Sequence, residues 1–310
     1  MSGRADGLAH PETSGGTAAN PRPITPALLR QWPLPTPTGS KTARGQVLVV
    51  GGARRTPGAP VLSGQAALRM GAGRLTLAVA ESVATAVAVA VPESGVEALP
   101  ESATGSITGV GAAGALRREL DRADAMLIGP GLDDAEGTVR LVEEVVPLLA
   151  GDARIVLDAY GFTVLPELAP EVRGSIAGRL VTNCNTAELA RLTGTGEIGV
   201  EDVGAPAVEL AARFGAVVSC HGWIATPAGE VWRGTTGDTG LGTSESGDVL
   251  AGAIVGLVSR GAEPDRAAVW ASHVHASAGD TLAARYGRIG YLARDLLPEL
   301  PVVLSALRGD

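Results

Sequence analysis

The stretch QVLVVGGARRTPGA, residues 46–59, shows how this chain is built. An apolar strand, QVLVV, leads into a glycine-rich loop, and a helix follows through residues 65–70. Similar apolar runs alternate with longer stretches rich in alanine, leucine and arginine, at 74–80, 125–129, 154–158, 179–183 and 215–220. Buried strands separated by helices are typical of βαβ units. The sequence therefore predicts an α/β fold with a central, mostly parallel sheet flanked by helices on both faces.

The C-terminal half adds a hairpin and three more helices. WIATP and EVWRG bracket Ala228-Gly229, a pattern that predicts two antiparallel strands joined by a tight turn. Helices are expected over 247–260, 264–284 and 291–307.

The domain organisation follows from where the apolar pattern begins. Residues 1–20 are small, polar and aperiodic, which predicts a disordered tail. Residues 21–45 contain six prolines and the apolar side chains of Leu28 and Trp32, so we expect an irregular arm packed on the domain. No linker interrupts the rest, and residues 46–310 are expected to form a single domain.

Composition and charge exclude several classes of protein. The chain has 25 Lys and Arg against 33 Asp and Glu, and its net charge of −8 argues against a nucleic-acid or anionic-membrane surface. No apolar run approaches about 18 residues, and the N-terminus lacks the apolar core of a secretory signal. Cys184 and Cys220 fit neither a disulfide framework nor a zinc cluster. We therefore expect a soluble, cytoplasmic protein.

Four loops are candidates for a binding site, because ligands of open α/β sheets bind beyond the carboxyl ends of the strands. They are 51–59, 128–133, 183–188 and 243–252. The first two are rich in glycine, which lets a ligand approach the backbone closely. Neither matches the Gly-x-Gly-x-x-Gly or Walker A pattern, and either one alone is more often a turn than a site.

The third loop holds Asn185 and Glu188, three residues apart at the start of a helix. One helical turn places both side chains on the same side. A carboxylate there can hold Mg²⁺ through water, while the amide can bind a phosphate or a substrate oxygen. The same two residues also fit a helix cap, and at this point both interpretations stay open.

The fourth loop gives the strongest indication of chemistry. The small residues of TSESGD precede the apolar helix VLAGAIVGLV. The N–H groups of Ser246, Gly247 and Asp248 would point out of the helix start, where the dipole favours an anion. The Asp248 carboxylate can take a proton from a hydroxyl while the amides stabilise a phosphoryl oxyanion. The alternative is that Ser246 or Asp248 simply caps the helix.

Together these segments resemble the ADP-dependent NAD(P)H-hydrate dehydratases of the ribokinase-like superfamily. The resemblance covers about residues 25–305 and includes PGAPVLSGQAALRMGAGRLTLAV, LIGPGL, VLDAYGFTVL, NTAELARL and GLGTSESGDVLAGAIVGLVSRG, in that order. It implies a ribokinase-like fold and removal of water from the hydrated nicotinamide ring of NADHX or NADPHX, coupled to hydrolysis of ADP. It also implies ADP or ATP as co-substrate with Mg²⁺, a homotetramer, and an epimerase on a separate chain.

The resemblance also implies roles for individual residues. The positions where such enzymes contact the hydrate are Ala59, Gly131, Asn185 and Asp248, with Asp248 as the general base. The positions expected at the adenine nucleotide are His221, Gly222, Trp223, Ile224, Ala225, Ser246 and Gly247. Glu188 is the candidate ligand for Mg²⁺.

Three positions depart from the family pattern. Asn185 stands where the bacterial enzymes often have histidine, and His221 stands where a lysine usually lies. Glu245 replaces a glycine just before Gly247-Asp248. It places a carboxylate and a Cβ beside the expected anion site, where it would impair nucleotide binding or recruit Mg²⁺.

Two other functions share these features. A ribokinase-like kinase acting on an alcohol would use the same Asp248 and release a stable phosphorylated product. A nucleotide-binding remnant disabled by Glu245 would bind ADP without releasing phosphate.

Three further polar residues are candidates for supporting roles. His273 and His275 lie two apart in one helix and so on different faces, which favours packing or a surface position over a metal pair. Asp158 ends the strand RIVLD, where it either positions substrate or Mg²⁺ or caps the next helix.

Overall fold

The computed structural model describes residues 12–36 and 39–308. Its strands are β1 (Arg22–Ile24), β2 (Gln46–Val50), β3 (Arg74–Ala80), β4 (Gly95–Leu99), β5 (Ala125–Ile128), β6 (Arg154–Leu157), β7 (Leu180–Cys184), β8 (Ala216–Cys220), β9 (Trp223–Ala225) and β10 (Val231–Gly234). Its α-helices are α1 (Pro26–Gln31), α2 (Gly58–Arg69), α3 (Ala84–Ala90), α4 (Ala112–Ala115), α5 (Arg117–Leu120), α6 (Ala135–Val145), α7 (Ala159–Thr163), α8 (Pro170–Ile176), α9 (Thr186–Thr193), α10 (Gly204–Phe214), α11 (Ser246–Ser259), α12 (Pro264–Tyr286) and α13 (Ala293–Arg308).

All ten strands of the described chain form one sheet, in the order β1-β10-β9-β8-β7-β6-β5-β2-β3-β4. Neighbouring strands run parallel except at β9, which is antiparallel to both β8 and β10. The predicted mostly parallel sheet is therefore confirmed, and the predicted hairpin corresponds to β9 and β10. The two edge strands, β1 and β4, were not predicted.

The sheet separates two apolar cores, as the alternation of side chains along a strand requires. In β2, Val47 and Val49 face the core under α2, α11, α12 and α13, whereas Leu48 and Val50 face the core under α6, α9 and α10. The predicted helices on both faces of the sheet are thus confirmed.

Two glycines let α11 lie directly against α2. A Cβ added at Gly252 would stand 2.1 Å from the Ser63 carbonyl oxygen, and one at Gly256 would stand 2.7 Å from that of Ala67. Only glycine fits such a separation. This close packing sets the position of α11, whose first turn contains Asp248.

We expect Gly252→Ala to lower the free energy of unfolding by about 1–3 kcal/mol, because overpacking displaces one helix from the other. Urea denaturation measures the loss. The matched control is Gly114→Ala in α4, where an added Cβ has no neighbour within 4 Å. Equal stability of the two variants would contradict this account of the α2–α11 contact.

The N-terminal segment corrects the expectation of a disordered tail over residues 1–20, which does not hold for residues 12–20. Gly16 exchanges two backbone hydrogen bonds with Val231, of 2.9 and 3.0 Å. The indole Nε1 of Trp232 donates to the carbonyl oxygen of Thr13 at 3.3 Å. Backbone pairing of this kind leaves no apolar period in a sequence, so pattern analysis missed it. The remaining part of that prediction, residues 1–11, lies outside the described residues.

The proline-rich arm is part of the sheet rather than an addition to it. Its strand β1 pairs with β10, and its helix α1 buries Leu28 and Leu29. Trp32 stacks on Trp232 with ring centroids 5.6 Å apart. Residue 46 therefore does not mark a structural boundary.

Deleting residues 1–17 is expected to lower the free energy of unfolding by about 2 kcal/mol, because it removes the Gly16 pair and leaves the buried Trp232 Nε1–H without its acceptor. Thermal or urea unfolding measures the change. Deleting residues 1–11 instead keeps every contact named above and serves as the control. If the two shortened proteins have the same free energy of unfolding, the contacts of residues 12–17 contribute nothing to stability.

Candidate active site

The site lies at the edge where the parallel strands end, and two glycine-rich loops form one side of it. Gly52 N–H donates to Pro130 O and Ala53 N–H donates to Gly131 O, both at 2.8 Å. Gly131 has a φ of +68°, and a Cβ there would stand 2.4 Å from Thr56 O and 3.2 Å from Ala59 Cβ. The structure thus brings together Ala59 and Gly131, which the sequence placed in separate loops.

Asp248 is the third residue of α11 and is only 9% exposed. Burial raises the pKa of its carboxyl to about 10, and a hydrogen bond with Glu245 and the charge of Asp158 contribute to the rise. A carboxyl with such a pKa holds a proton at neutral pH. It can accept a proton only where bound groups favour its ionised form.

Asp158 directly follows β6 and is buried beside Asp248. Burial, together with the charge of Glu188, raises the pKa of Asp158 to about 7, although a hydrogen bond from Asn183 opposes the shift. Its side chain makes no capping hydrogen bond to α7. The capping alternative is therefore wrong for Asp158, which instead joins Asp248, Glu188 and Glu245 in a group of interacting carboxyls.

Asn183 links three elements of the site, and sequence reasoning did not single it out. Its Nδ2 donates to Asp158 Oδ1 and to Gly247 O, both at 3.2 Å, and its Oδ1 accepts from Ser219 Oγ at 3.4 Å. Only 5% of it is exposed. The available signal was a polar amide at the end of the buried run RLVTN, because a buried amide needs partners.

Asn185 and Glu188 form a reciprocal cap at the start of α9. Glu188 N–H donates to Asn185 Oδ1 at 2.9 Å, and Asn185 N–H donates to Glu188 Oε2 at 3.0 Å. The capping interpretation is therefore correct for this pair. Asn185 is nevertheless exposed at the sheet edge, and the cap does not use its Nδ2.

The segment 221–225, expected at the nucleotide, divides into two parts. His221 is exposed and Gly222 is partly exposed, and both have positive φ. Trp223, Ile224 and Ala225 instead form β9, and each is at most 3% exposed. Their side chains lie in the two apolar cores, because β9 is an inner strand of the sheet. Within this segment, His221 alone presents an exposed side chain.

Backbone strain is concentrated at this edge of the sheet. The non-glycine residues of the described chain with positive φ are Ala159 (+47°), His221 (+46°) and Glu245 (+67°). Ala159 and His221 come just after strands, and Glu245 immediately precedes α11. Such conformations cost roughly 1–2 kcal/mol per residue and cluster at functional sites.

Ser246 and Gly247, which were also predicted at the nucleotide, lie in the first turn of α11. Gly247 is exposed, whereas Ser246 is buried. A Cβ added at Gly247 would have only Asn183 Nδ2 nearby, at 3.9 Å. The Ser246 hydroxyl contacts His275 instead of capping the helix. The amides of Gly247 and Asp248 lie in the first turn, which lacks intrahelical acceptors, so they can receive an anion.

A cavity of about 370 Å³ opens at the opposite edge, where β2, β3 and β4 begin. Gln46, Arg74, Glu97 and Arg118 are among its lining residues. It contains none of the predicted site residues, and the general rule for open α/β sheets places the ligand at the other edge.

Comparison with known proteins identifies the family. The family model described as NAD(P)H-hydrate dehydratase matches residues 47–302. The chain belongs to this family. It is 41% identical, over 94% of its length and 99% of the relative's, to the ADP-dependent (S)-NAD(P)H-hydrate dehydratase of Xanthomonas campestris.

Solved structures agree with the ribokinase-like fold of this NAD(P)H-hydrate dehydratase family member. An ADP/ATP-dependent NAD(P)H-hydrate dehydratase from Bacillus subtilis, co-crystallised with ATP and Mg²⁺, is 24% identical with a TM-score of 0.73, covering 92% of this chain and 98% of that one. A ribokinase-like protein from Enterococcus faecalis is 21% identical with a TM-score of 0.77, covering 99% and 100%. Within the described residues, no helix has the length and apolar character needed to span a membrane.

Proposed function

We propose that this protein is an ADP-dependent NAD(P)H-hydrate dehydratase that converts the (S)-hydrates NADHX and NADPHX to NADH and NADPH. The observation that carries the proposal is the buried Asp248 at the start of α11, beside first-turn amides that can receive a phosphate, in a member of this family. The 41% identity to the Xanthomonas campestris enzyme along nearly the whole chain supports the same reaction.

The two substrates occupy neighbouring parts of the site. Ala59 and Gly131 line the side formed by the paired loops. Asn185, just after the end of β7, and Asp248, at the start of α11, contact the hydrate. The adenine nucleotide lies against His221, Gly222 and Gly247, with its terminal phosphate on the amides of α11.

Asp248 takes the proton from the ring hydroxyl of the hydrate as the hydroxyl oxygen attacks the terminal phosphorus of ADP. The bond from that phosphorus to AMP breaks, and the amides of α11 stabilise the charge on the transferring phosphoryl oxygens. The ring nitrogen lone pair then expels phosphate from the ring, and loss of a proton from the neighbouring carbon restores the reduced nicotinamide.

Mg²⁺ would bind in this site together with the phosphates of the nucleotide. No group of three metal-ligating side chains occurs in the described ranges, and Mg²⁺ is commonly held by one or two carboxylates together with substrate phosphates. Glu188 is the protein ligand we propose. When bound, Mg²⁺ would neutralise phosphate charge. We also propose that the chain forms a homo-oligomer, a tetramer, in the cytoplasm.

Incubation with NADHX and ADP tests the proposal through the absorbance of reduced nicotinamide. We expect NADH, AMP and phosphate. An ordinary kinase would instead yield a stable phosphorylated product, and a nucleotide-binding remnant would bind ADP without releasing phosphate. Either of those two results would overturn the proposed function.

A further inference from the structure

The start of α11 is held from outside the helix. Its N-cap residue, Glu245, makes no capping hydrogen bond with its side chain. Instead Ser246 N–H donates to Thr243 O at 3.3 Å, and Asn183 Nδ2 donates to Gly247 O at 3.2 Å. A third contact comes from the neighbouring helix α12, where His275 Nε2 lies 3.1 Å from both the carbonyl oxygen and the hydroxyl of Ser246.

The contact with the carbonyl identifies which ring nitrogen carries the hydrogen. A carbonyl oxygen can only accept, so a hydrogen bond to Ser246 O requires the tautomer in which His275 Nε2 carries the hydrogen and donates it. Burial lowers the pKa of His275 to about 4, so the ring is neutral in neutral solution. His275 is only 7% exposed, and both contacts of its Nε2 are with Ser246.

We propose that His275 is a positioning residue of the nucleotide site. By holding the carbonyl of Ser246, it fixes the first turn of α11, and with it the Gly247 and Asp248 amides that receive the phosphate. Because the contact uses a carbonyl, it leaves the N–H groups of that turn available to a ligand. This inference rests on the proposed function, because it takes the start of α11 to be the phosphate site.

Four variants test the role of the Nε2–H. His275→Gln places an amide donor at similar reach, His275→Asn places the same donor too far back, and His275→Leu removes it. His273→Leu is the matched control, because His273 is equally buried on α12 and its Nδ1 has no partner among the described residues. Calorimetric titration measures the affinity for ADP, and steady-state kinetics with NADHX measure the KM of each substrate separately.

We expect His275→Leu and His275→Asn to weaken ADP binding about tenfold and to raise the KM for ADP similarly, as the loss of one positioning hydrogen bond predicts. The KM for the hydrate should stay within about twofold. His275→Gln should bind ADP within about threefold of wild type, and His273→Leu within about twofold.

Equal ADP affinity for His275→Gln and His275→Asn would overturn the inference, and these two polar variants decide the matter even if His275→Leu does not fold. Equal losses in His275→Leu and His273→Leu would also overturn it, since packing alone would then explain them. A wild type that binds ADP but leaves NADHX unchanged would contradict the proposed function and not this inference. A wild type that does not bind ADP would contradict both.

Discussion

Asp248→Asn is expected to reduce the rate of dehydration by about 10²–10⁴-fold, the usual effect of removing a general base. The amide keeps the shape of the carboxyl and loses the ability to accept the proton of the ring hydroxyl. ADP should bind within a few-fold of wild type, because the backbone amides of Gly247 and residue 248 remain in place.

The same substitution should make the protein more stable at neutral and alkaline pH. The carboxyl pKa rises from its ordinary value of 3.8 to about 10 in the folded chain. Between those values the folded state binds a proton that the unfolded state has lost, so the stability contributed by this group is present below pH 3.8 and is lost as pH rises towards 10. Asparagine has no proton to lose. We expect the free energy of unfolding of Asp248→Asn at pH 8 to exceed that of wild type by at least about 1 kcal/mol.

Two measurements check this prediction: the rate of NADH formation, and urea unfolding at pH 5 and pH 8. The matched control is Asp265→Asn, which changes another partly buried aspartate in the first turn of a helix, α12. It should leave the rate unchanged. Wild-type turnover in Asp248→Asn would show that this carboxyl is not the base.

Glu245→Gly is expected to strengthen ADP binding by about tenfold or more and to raise turnover. Glu245 adopts a φ of +67°, a conformation that glycine takes without strain. Its carboxylate also repels the incoming phosphate, by about 1 kcal/mol per pair of charges at 4 Å in water and about 4 kcal/mol near a protein surface. Both effects disappear in the glycine variant.

Glu245→Gln separates the two causes, because it removes the charge and keeps the strained backbone. It should recover the electrostatic part of the gain in ADP affinity, and that part should shrink as salt rises. The ADP dissociation constants of the three proteins at low and high ionic strength give the comparison. If both variants bind ADP more weakly than wild type at either ionic strength, Glu245 is a ligand and the repulsion argument is wrong.

Glu245→Gly should also change the pH dependence of the reaction. Wild-type activity is expected to rise with pH, since Asp248 must lose its proton to act as a base. The hydrogen bond and the charge of Glu245 both raise the pKa of Asp248. Without them the pKa falls, so the rise in activity should occur at lower pH. A pH–rate profile that does not move would mean that Glu245 does not influence Asp248.

The core of the fold could be predicted from sequence because its strands are continuous apolar runs. The runs at 46–50 and 74–80 coincide with β2 and β3, and burial on both faces explains their lack of alternation. The edge strands β1 and β4 could not be found in this way. Both are only partly buried, β1 has only three residues, and backbone pairing with a neighbour defines them more than their own side chains do.

The site was predictable where its residues follow strands in sequence. Gly131 and Asn185 lie at the expected sheet edge for that reason, whereas Asp248 was predicted from its position at the start of the apolar helix α11. Asn183 and His275 were not assigned to the site, since their roles depend on contacts between elements far apart in the chain. For Trp223, Ile224 and Ala225, the hairpin pattern predicted the strand correctly. The resemblance placed the same segment at the nucleotide, but it could not show that the strand is buried on both faces.

The stoichiometry of a single turnover tests the central claim most directly. Enzyme in excess over NADHX is mixed with ADP, and NADH, AMP and phosphate are quantified as they form. We expect equal amounts of all three, formed together, and formation about 10²–10⁴-fold slower with Asp248→Asn. Formation of AMP without NADH, with the phosphoryl group retained on a stable product, would contradict the claim.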